Sequence, residues 1–153
     1  MISQSVEYAL RAAVFLATKT DAGPATSAVI AEATRVPGPY LSKVLASLVK
    51  AGIVTARRGP GGGLTLSRSA DAISVLDVVN AVDPLPRIRT CPLGLKAHGA
   101  RLCALHTRLD RAIAGVESAF RESTLAEIVA EPNDSVPLCD ERKTVTLTVR
   151  KKM

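Results

Sequence analysis

Both histidines of this 153-residue chain and two of its three cysteines lie within the stretch from Cys91 to His106. Thiolates suit iron-sulfur clusters and zinc, and an imidazole can replace a thiolate at one iron and raise its reduction potential. Cys91, His98, Cys103 and His106 are therefore a candidate ligand set, with a thiol-disulfide switch as the alternative chemistry. The bland alternative is two surface thiols and two solvated imidazoles. Gly94 and Gly99 would let the segment wrap a compact cofactor. Cys103 and His106, three apart, would share one side of a helix start. Lys96 and Arg101 would lower the thiol pKa values. Cys139 stands apart and reads as a dispensable thiol. An odd cysteine count argues against a disulfide-stapled secreted scaffold. Outside this stretch there is no histidine to serve as a general base, so the chain is not expected to be an enzyme.

A second signature is Arg57-Arg58-Gly59-Pro60-Gly61-Gly62-Gly63. Four glycines in five residues weaken a chain entropically and pack nothing, so they point to positive dihedrals or a close backbone approach. The flanking arginines suit phosphate or a narrow minor groove. A nucleotide phosphate loop is excluded, because no Lys-Ser/Thr follows the glycines and no helix opens there.

Charge supports a polyanionic partner: the net charge is +6 and the pI about 9.6. Residues 1–70 carry 8 basic and 3 acidic groups and residues 87–111 carry 6 and 1, whereas residues 112–140 reverse to 1 and 6. Aromatic residues make up 3% and tryptophan is absent, which argues against stacking platforms for single strands or sugars. No apolar run reaches membrane-span length and no leader peptide is readable, so a soluble cytoplasmic protein without membrane contact is expected.

Positioning these residues requires helices. The periodicity of Val6, Leu10, Ala13, Val14 and Ala17 predicts a helix from Ser3 to about Thr18. Thr26 and Ser27 cap a short second helix through Ala33, with Val29 and Ile30 inward. Pro39 fits the first position of a third helix reaching Lys50, with Leu41, Val44, Leu45, Leu48 and Val49 on one face. Gly52 suits a left-handed cap over which Ile53 closes. Strands are expected at Ile53–Ala56 and Leu64–Leu66, and a fourth helix from Ile73 to Val82. From Leu102 to about Arg121 a long helix carries Leu105, Leu109, Ile113, Val116 and Phe120 as a stripe suited to pairing with another helix. Thr124 and Glu127 form a capping box for Leu125–Ala130. Thr144 to Val149 alternates in a way that permits a strand, within a tail expected to be mobile or partner-dependent.

Arg58-Gly59-Pro60-Gly61-Gly62-Gly63-Leu64-x-Leu66, Tyr40-Leu41, Ala51-Gly52-Ile53-Val54 and Ile73 through Asp83 together resemble the bacterial winged-helix regulators typified by IscR, NsrR and CymR, with the match running from the first helix to about residue 130. Leu64 stands where an aromatic is usual. In IscR-like members three cysteines and a histidine hold an iron-sulfur cluster. Cys91 and Cys103 correspond to the first and last cysteines, His106 follows three residues on, and Ala97 with His98 beside it replaces the middle cysteine. Some relatives complete a cluster with a carboxylate from the partner subunit's first helix, which brings in Glu7.

The resemblance implies a mainly α fold with a small β wing: a winged helix-turn-helix over residues 1–83, a cysteine-containing sensor loop over 84–103, a dimerisation helix and a short helix over 104–130, and a tail over 131–153. The expected function is a homodimeric transcription regulator on a palindromic duplex operator. Pro39, Tyr40, Ser42, Lys43 and Ser47 of the third helix would meet base edges and phosphates in the major groove. Arg57, Arg58, Gly61, Gly62 and Gly63 of the wing would meet the minor groove and backbone. Ser42 stands where IscR has an acidic residue, so the base preference should differ. Operator binding is expected to be modulated by an iron-sulfur cluster, read as 2Fe-2S, or by the redox state of the Cys91–His106 loop. The alternatives are a cofactor-free, zinc or thiol-disulfide regulator, a small metal or redox protein that does not bind DNA, and a dimeric adaptor without a cofactor.

Overall fold

A computed structural model describes residues 2–98 and 101–138. Gly99, Cys139 and the alternating stretch at 144–149 lie outside the described residues.

Helix α1, Gln4–Thr18, opens on a Ser3 side chain that accepts from the Val6 N–H. It buries Val6, Ala9, Ala12, Ala13, Val14, Phe15 and Leu16, an apolar surface covering more than one stripe. A helix so clothed belongs in the middle of a domain. It packs on α2 (Ser27–Thr34), α3 (Gly38–Lys50), α4 (Val75–Val82) and α6 (Leu125–Ala130), its three core alanines leaving room for close approach.

Helix α2 is capped by Thr26 and ends at Arg35, in the left-handed region with φ 54°. Its inner face is Ile30 and Thr34. Val29, one residue before Ile30, is turned by about 100° from it and stands 48% exposed, contrary to the sequence expectation. The same geometry exposes Val49 beside the buried Leu48. Pro39 occupies the second helical position because α3 begins at Gly38. At the other end, Ile53 N–H donates to Leu48 O and Gly52 N–H to Val49 O, with Gly52 at φ 71°. This is the expected left-handed cap, with Ile53 and Leu48 both buried across it.

Strands β1 (Val54–Arg57) and β2 (Gly63–Leu66) pair antiparallel from Val54 opposite Leu66 to Arg57 opposite Gly63. Both sit within a residue of the expected places. Ala25 adds a further rung, exchanging two backbone hydrogen bonds with Leu64. A Cβ on Gly63 would lie 2.8 Å from Ala25 O, and one on Gly62 would collide with the Arg57 carbonyl. The wing's own folding therefore requires these glycines.

Ile73 is extended, and α4 starts at Val75 behind a Ser74/Asp77 capping box. Helix α5 runs Ala104–Glu122 with Cys103 as its N-cap, two residues later than expected. The chain then returns to the head. Val75 N–H donates to Ser123 O, Leu125 N–H donates to Ile73 O, and the fully buried Leu125 plugs the core beside α1. The Thr124/Glu127 capping box forms as expected. Among the described residues no helix is long and apolar enough to cross a membrane.

Candidate nucleic-acid interface

Helix α3 is divided by its own periodicity. Leu41, Val44, Leu45 and Leu48 are buried in the head, which leaves Pro39, Tyr40, Ser42 and Lys43 exposed at its N-terminal half. Ser47 is half-buried, and its hydroxyl donates to Lys43 O at 3.3 Å. It is thus less available than the other four. Tyr40 is 56% exposed, yet its ring lies 6.0 Å from that of Tyr8 on α1. Arg11 stands over the Tyr8 ring, pairs with Glu7 at 2.9 Å and reaches Thr34 O at 3.5 Å. Tyr8 and Arg11 were not singled out from sequence, since a tyrosine and an arginine on an amphipathic helix carry no pattern of their own. Glu7, the candidate carboxylate, is here a helix ion-pair partner.

Arg57 and Arg58 are exposed at the end of β1 and the start of the turn. Gly61, at φ 71°, is exposed, while Gly62 and Gly63 are half-buried against their own chain. These glycines shape the hairpin, and the two arginines supply its charge.

The stripe on α5 divides. Leu105, Leu109 and Val116 are 62%, 46% and 43% exposed among the described residues. Phe120 packs against the Val6, Val75 and Val79 cluster, and Ile113 lines a cavity between α5 and the head.

In the cysteine strip the structure forms two pairs. Cys91 Sγ lies 3.5 Å from His98 Nδ1, and Cys103 Sγ lies 3.4 Å from His106 Nδ1. Both thiols are unpaired and partly exposed. Metal-sulfur and metal-imidazole bonds of about 2.3 and 2.1 Å make the S···N edge of a tetrahedral site about 3.6 Å, so each pair has the separation of two ligands on one metal. Among the described residues no three His, Cys, Asp or Glu side chains converge on one point. The donor chemistry fits zinc or an iron-sulfur cluster; the two pairs are not brought together. The Cys91 thiol is pushed below its ordinary 9.0 by the Leu95 N–H, then by His98 and the Leu93 N–H. Hydrogen bonds do this at Cys91, rather than the expected Lys96 and Arg101. Gly94 turns the strip at φ 63°.

One constellation left no local trace in the sequence. The Arg87 guanidinium makes two bonds of 2.7 Å to the Asp110 carboxylate and one of 2.7 Å to Glu117, and Asp110 also accepts from the Ile88 N–H at 2.9 Å. Partners 23 and 30 residues away show no periodicity with Arg87. The Arg87 guanidinium beside Asp110 holds that carboxyl at about 2.

Comparison with known proteins bears on this arrangement. The family model described as Rrf2, iron-dependent transcriptional regulator, matches residues 2–131. The HTH-type transcriptional regulator IscR of Yersinia pseudotuberculosis is 34% identical over 122 residues, 80% of this chain and 74% of that protein. Among solved structures, IscR of T. potens superposes with a TM-score of 0.70 at 25% identity, covering 84% of this chain and 85% of the other. The global cysteine regulator CymR of B. subtilis gives 0.72 at 24% identity over 87% and 98%.

Proposed function

The chain belongs to the Rrf2 family of DNA-binding transcriptional regulators and is not an enzyme; from that premise we propose that two copies, joined through α5, bind a palindromic operator with paired α3 helices and wings in the cytoplasm. The observation that carries this reading is the partition of α3. Its apolar face is consumed by the core, and Pro39, Tyr40, Ser42 and Lys43 project from the N-terminal half, the part of a reading helix that meets base edges. Arg57 and Arg58 would add phosphate and minor-groove contacts from the wing, with Gly61, Gly62 and Gly63 allowing its tight turn. Leu105, Leu109 and Val116 supply the uncovered apolar surface for the mate, while Ile113 and Phe120 support α5 from behind. The test is operator selection from random duplexes with wild type and Ser42→Ala. A direct contact to a base edge predicts relaxed preference at one symmetry-related pair of positions. An unchanged selected sequence contradicts it.

For regulation we propose that Cys91, His98, Cys103 and His106 hold an iron-sulfur cluster of the 2Fe-2S kind, in keeping with the iron dependence in the family description. When bound, such a cluster supplies one-electron redox chemistry and a site for oxygen or nitric oxide. The chain's part is to preset each thiol beside an imidazole and to tie the strip to the start of α5. Visible absorption in anaerobically purified protein, lost in Cys91→Ala and Cys103→Ala and retained in Cys139→Ala, supports the reading. Colourless protein under those conditions contradicts it. A second reading is a zinc or thiol-disulfide sensor: each Cys-His pair has the spacing of two zinc ligands, and both thiols are free and partly exposed for oxidation. Stoichiometric zinc, or a Cys91–Cys103 disulfide on mild oxidation, would select it.

A further inference from the structure

We propose that Arg87 is a specificity-determining residue that sets the angle between the reading head and α5, and with it the half-site spacing the protein accepts. The inference rests on the dimeric reading above. The joint between head and α5 has three parts. Backbone bonds at Val75 and Leu125, and the packing of Phe120 against the Val6, Val75 and Val79 cluster, hold the C-terminal end of α5. Further along, around Ile113, packing is incomplete. A cavity of about 320 Å³ opens between α5 and the head, lined by Ile2, Val6, Val79, Pro84, Pro86 and Ile113 among others. Hydrophobic contact is non-directional, and next to a gap of this size it does not fix an angle.

Arg87 follows Pro86 at the edge of that cavity, its two partners on α5 flank Ile113, and it does fix an angle. Asp110 and Glu117 are seven residues apart on α5, which places them on one face and roughly 10 Å apart along the axis. A planar guanidinium bonded to both, with the Ile88 N–H anchored to the same Asp110, is held in direction as well as in position. The strap joins the segment that follows α4 to both halves of α5, through Asp110 in the half that carries the exposed Leu105 and Leu109 and through Glu117 in the half that carries Phe120. If α5 pairs with its mate, this joint is the hinge of a lever ending at α3. One base pair of added spacing separates half-sites by about 3.4 Å and rotates them by about 35°, so tolerance for it depends on how firmly the hinge is set.

The test measures binding of full-length wild type, Arg87→Met and Arg87→Lys to the selected operator, to versions with one base pair added or removed between half-sites, and to random duplex. Wild type is expected to discriminate among the spacings. Arg87→Met should lose roughly fivefold of that discrimination, the scale of two solvent-touched charge-assisted pairs, while its random-duplex affinity and association state stay unchanged. Arg87→Lys should fall between, since an ammonium cannot hold two carboxylates in a fork. If Arg87→Met does not fold, Glu117→Gln, which removes one arm only, reads the same quantity. Discrimination retained in the folded variants overturns the brace alone. A monomeric wild type, or one indifferent to spacing, overturns both the brace and the dimeric reading beneath it.

Discussion

From Val6 to Val79 the helices and the wing close on a main apolar core and a smaller cluster of Val6, Val75 and Val79, whereas no described residue from Asn80 to Thr124 is buried. The head, completed by α6 and its buried Leu125, is densely tied together: α1 is wrapped on several sides, every helix of the head has a cap or a defined stop, and even the wing is stapled to Ala25. The strip and α5 are held by a few polar bonds and one apolar end, and they leave leucines in water. Among the described residues this segment has little of its own to bury, which is the ground for proposing a mate and a bound metal there. The proposed reading surface thus sits on a well-packed body, and the segment proposed to regulate it does not.

Core and strip should accordingly respond to mutation in different ways. The largest effect is expected for Leu48→Ala, which opens a hole in the head and should destabilise it by about 2 to 5 kcal/mol in chemical denaturation. If Leu105→Ala destabilised the isolated chain as much, the contrast would fail. Leu109→Glu should instead leave the fold intact, dissociate the dimer in sedimentation velocity, and weaken operator binding by roughly a hundredfold, because two linked heads bind with an advantage that one lacks. An intact dimer in Leu109→Glu would place the interface elsewhere.

The same contrast marks what could be read in advance. Periodicity and capping residues located the six α-helices of the described residues, because each depends on neighbours three or four positions away, and the run of glycines beside Arg57 and Arg58 located the wing. The partition of α3 was legible for the same reason. The misplaced residues are Val29 and Val49, where two adjacent apolar residues compete for one buried face and only the fold decides between them. In the strip, clustering pointed to Cys91, His98, Cys103 and His106 and spacing paired Cys103 with His106, but nothing in the sequence paired Cys91 with His98. The Arg87 brace spans the chain at distances where charge carries no pattern, and the loss of Ile113 and Phe120 from the exposed stripe depends on how α5 lies on the head.

Arg58→Ala tests the wing with a smaller effect. Affinity for specific and random duplexes should fall alike, and the slope of log affinity against log salt should drop by about 0.9 for each wing that loses a phosphate contact. An unchanged slope would remove Arg58 from the interface. The smallest effect concerns Asp110. Its carboxyl is depressed from 3.8 to about 2, so its ion pair stabilises the folded chain above the ordinary value and is lost as pH falls through the window between the two. The stability difference between wild type and Asp110→Asn should be constant near neutrality and vanish as acid unfolding approaches pH 2. A difference that persists there would mean that Asp110 acts by packing rather than charge.

The central claim, a head built ready-made and carried in pairs by α5, is tested most directly by selecting duplexes on the purified full-length protein and counting chains per bound duplex by analytical ultracentrifugation. The account predicts enrichment of a two-fold symmetric sequence, its half-sites an integral number of helical turns apart, with two chains on each duplex. Enrichment of an asymmetric site bound by one chain, or no enrichment at all, would contradict it.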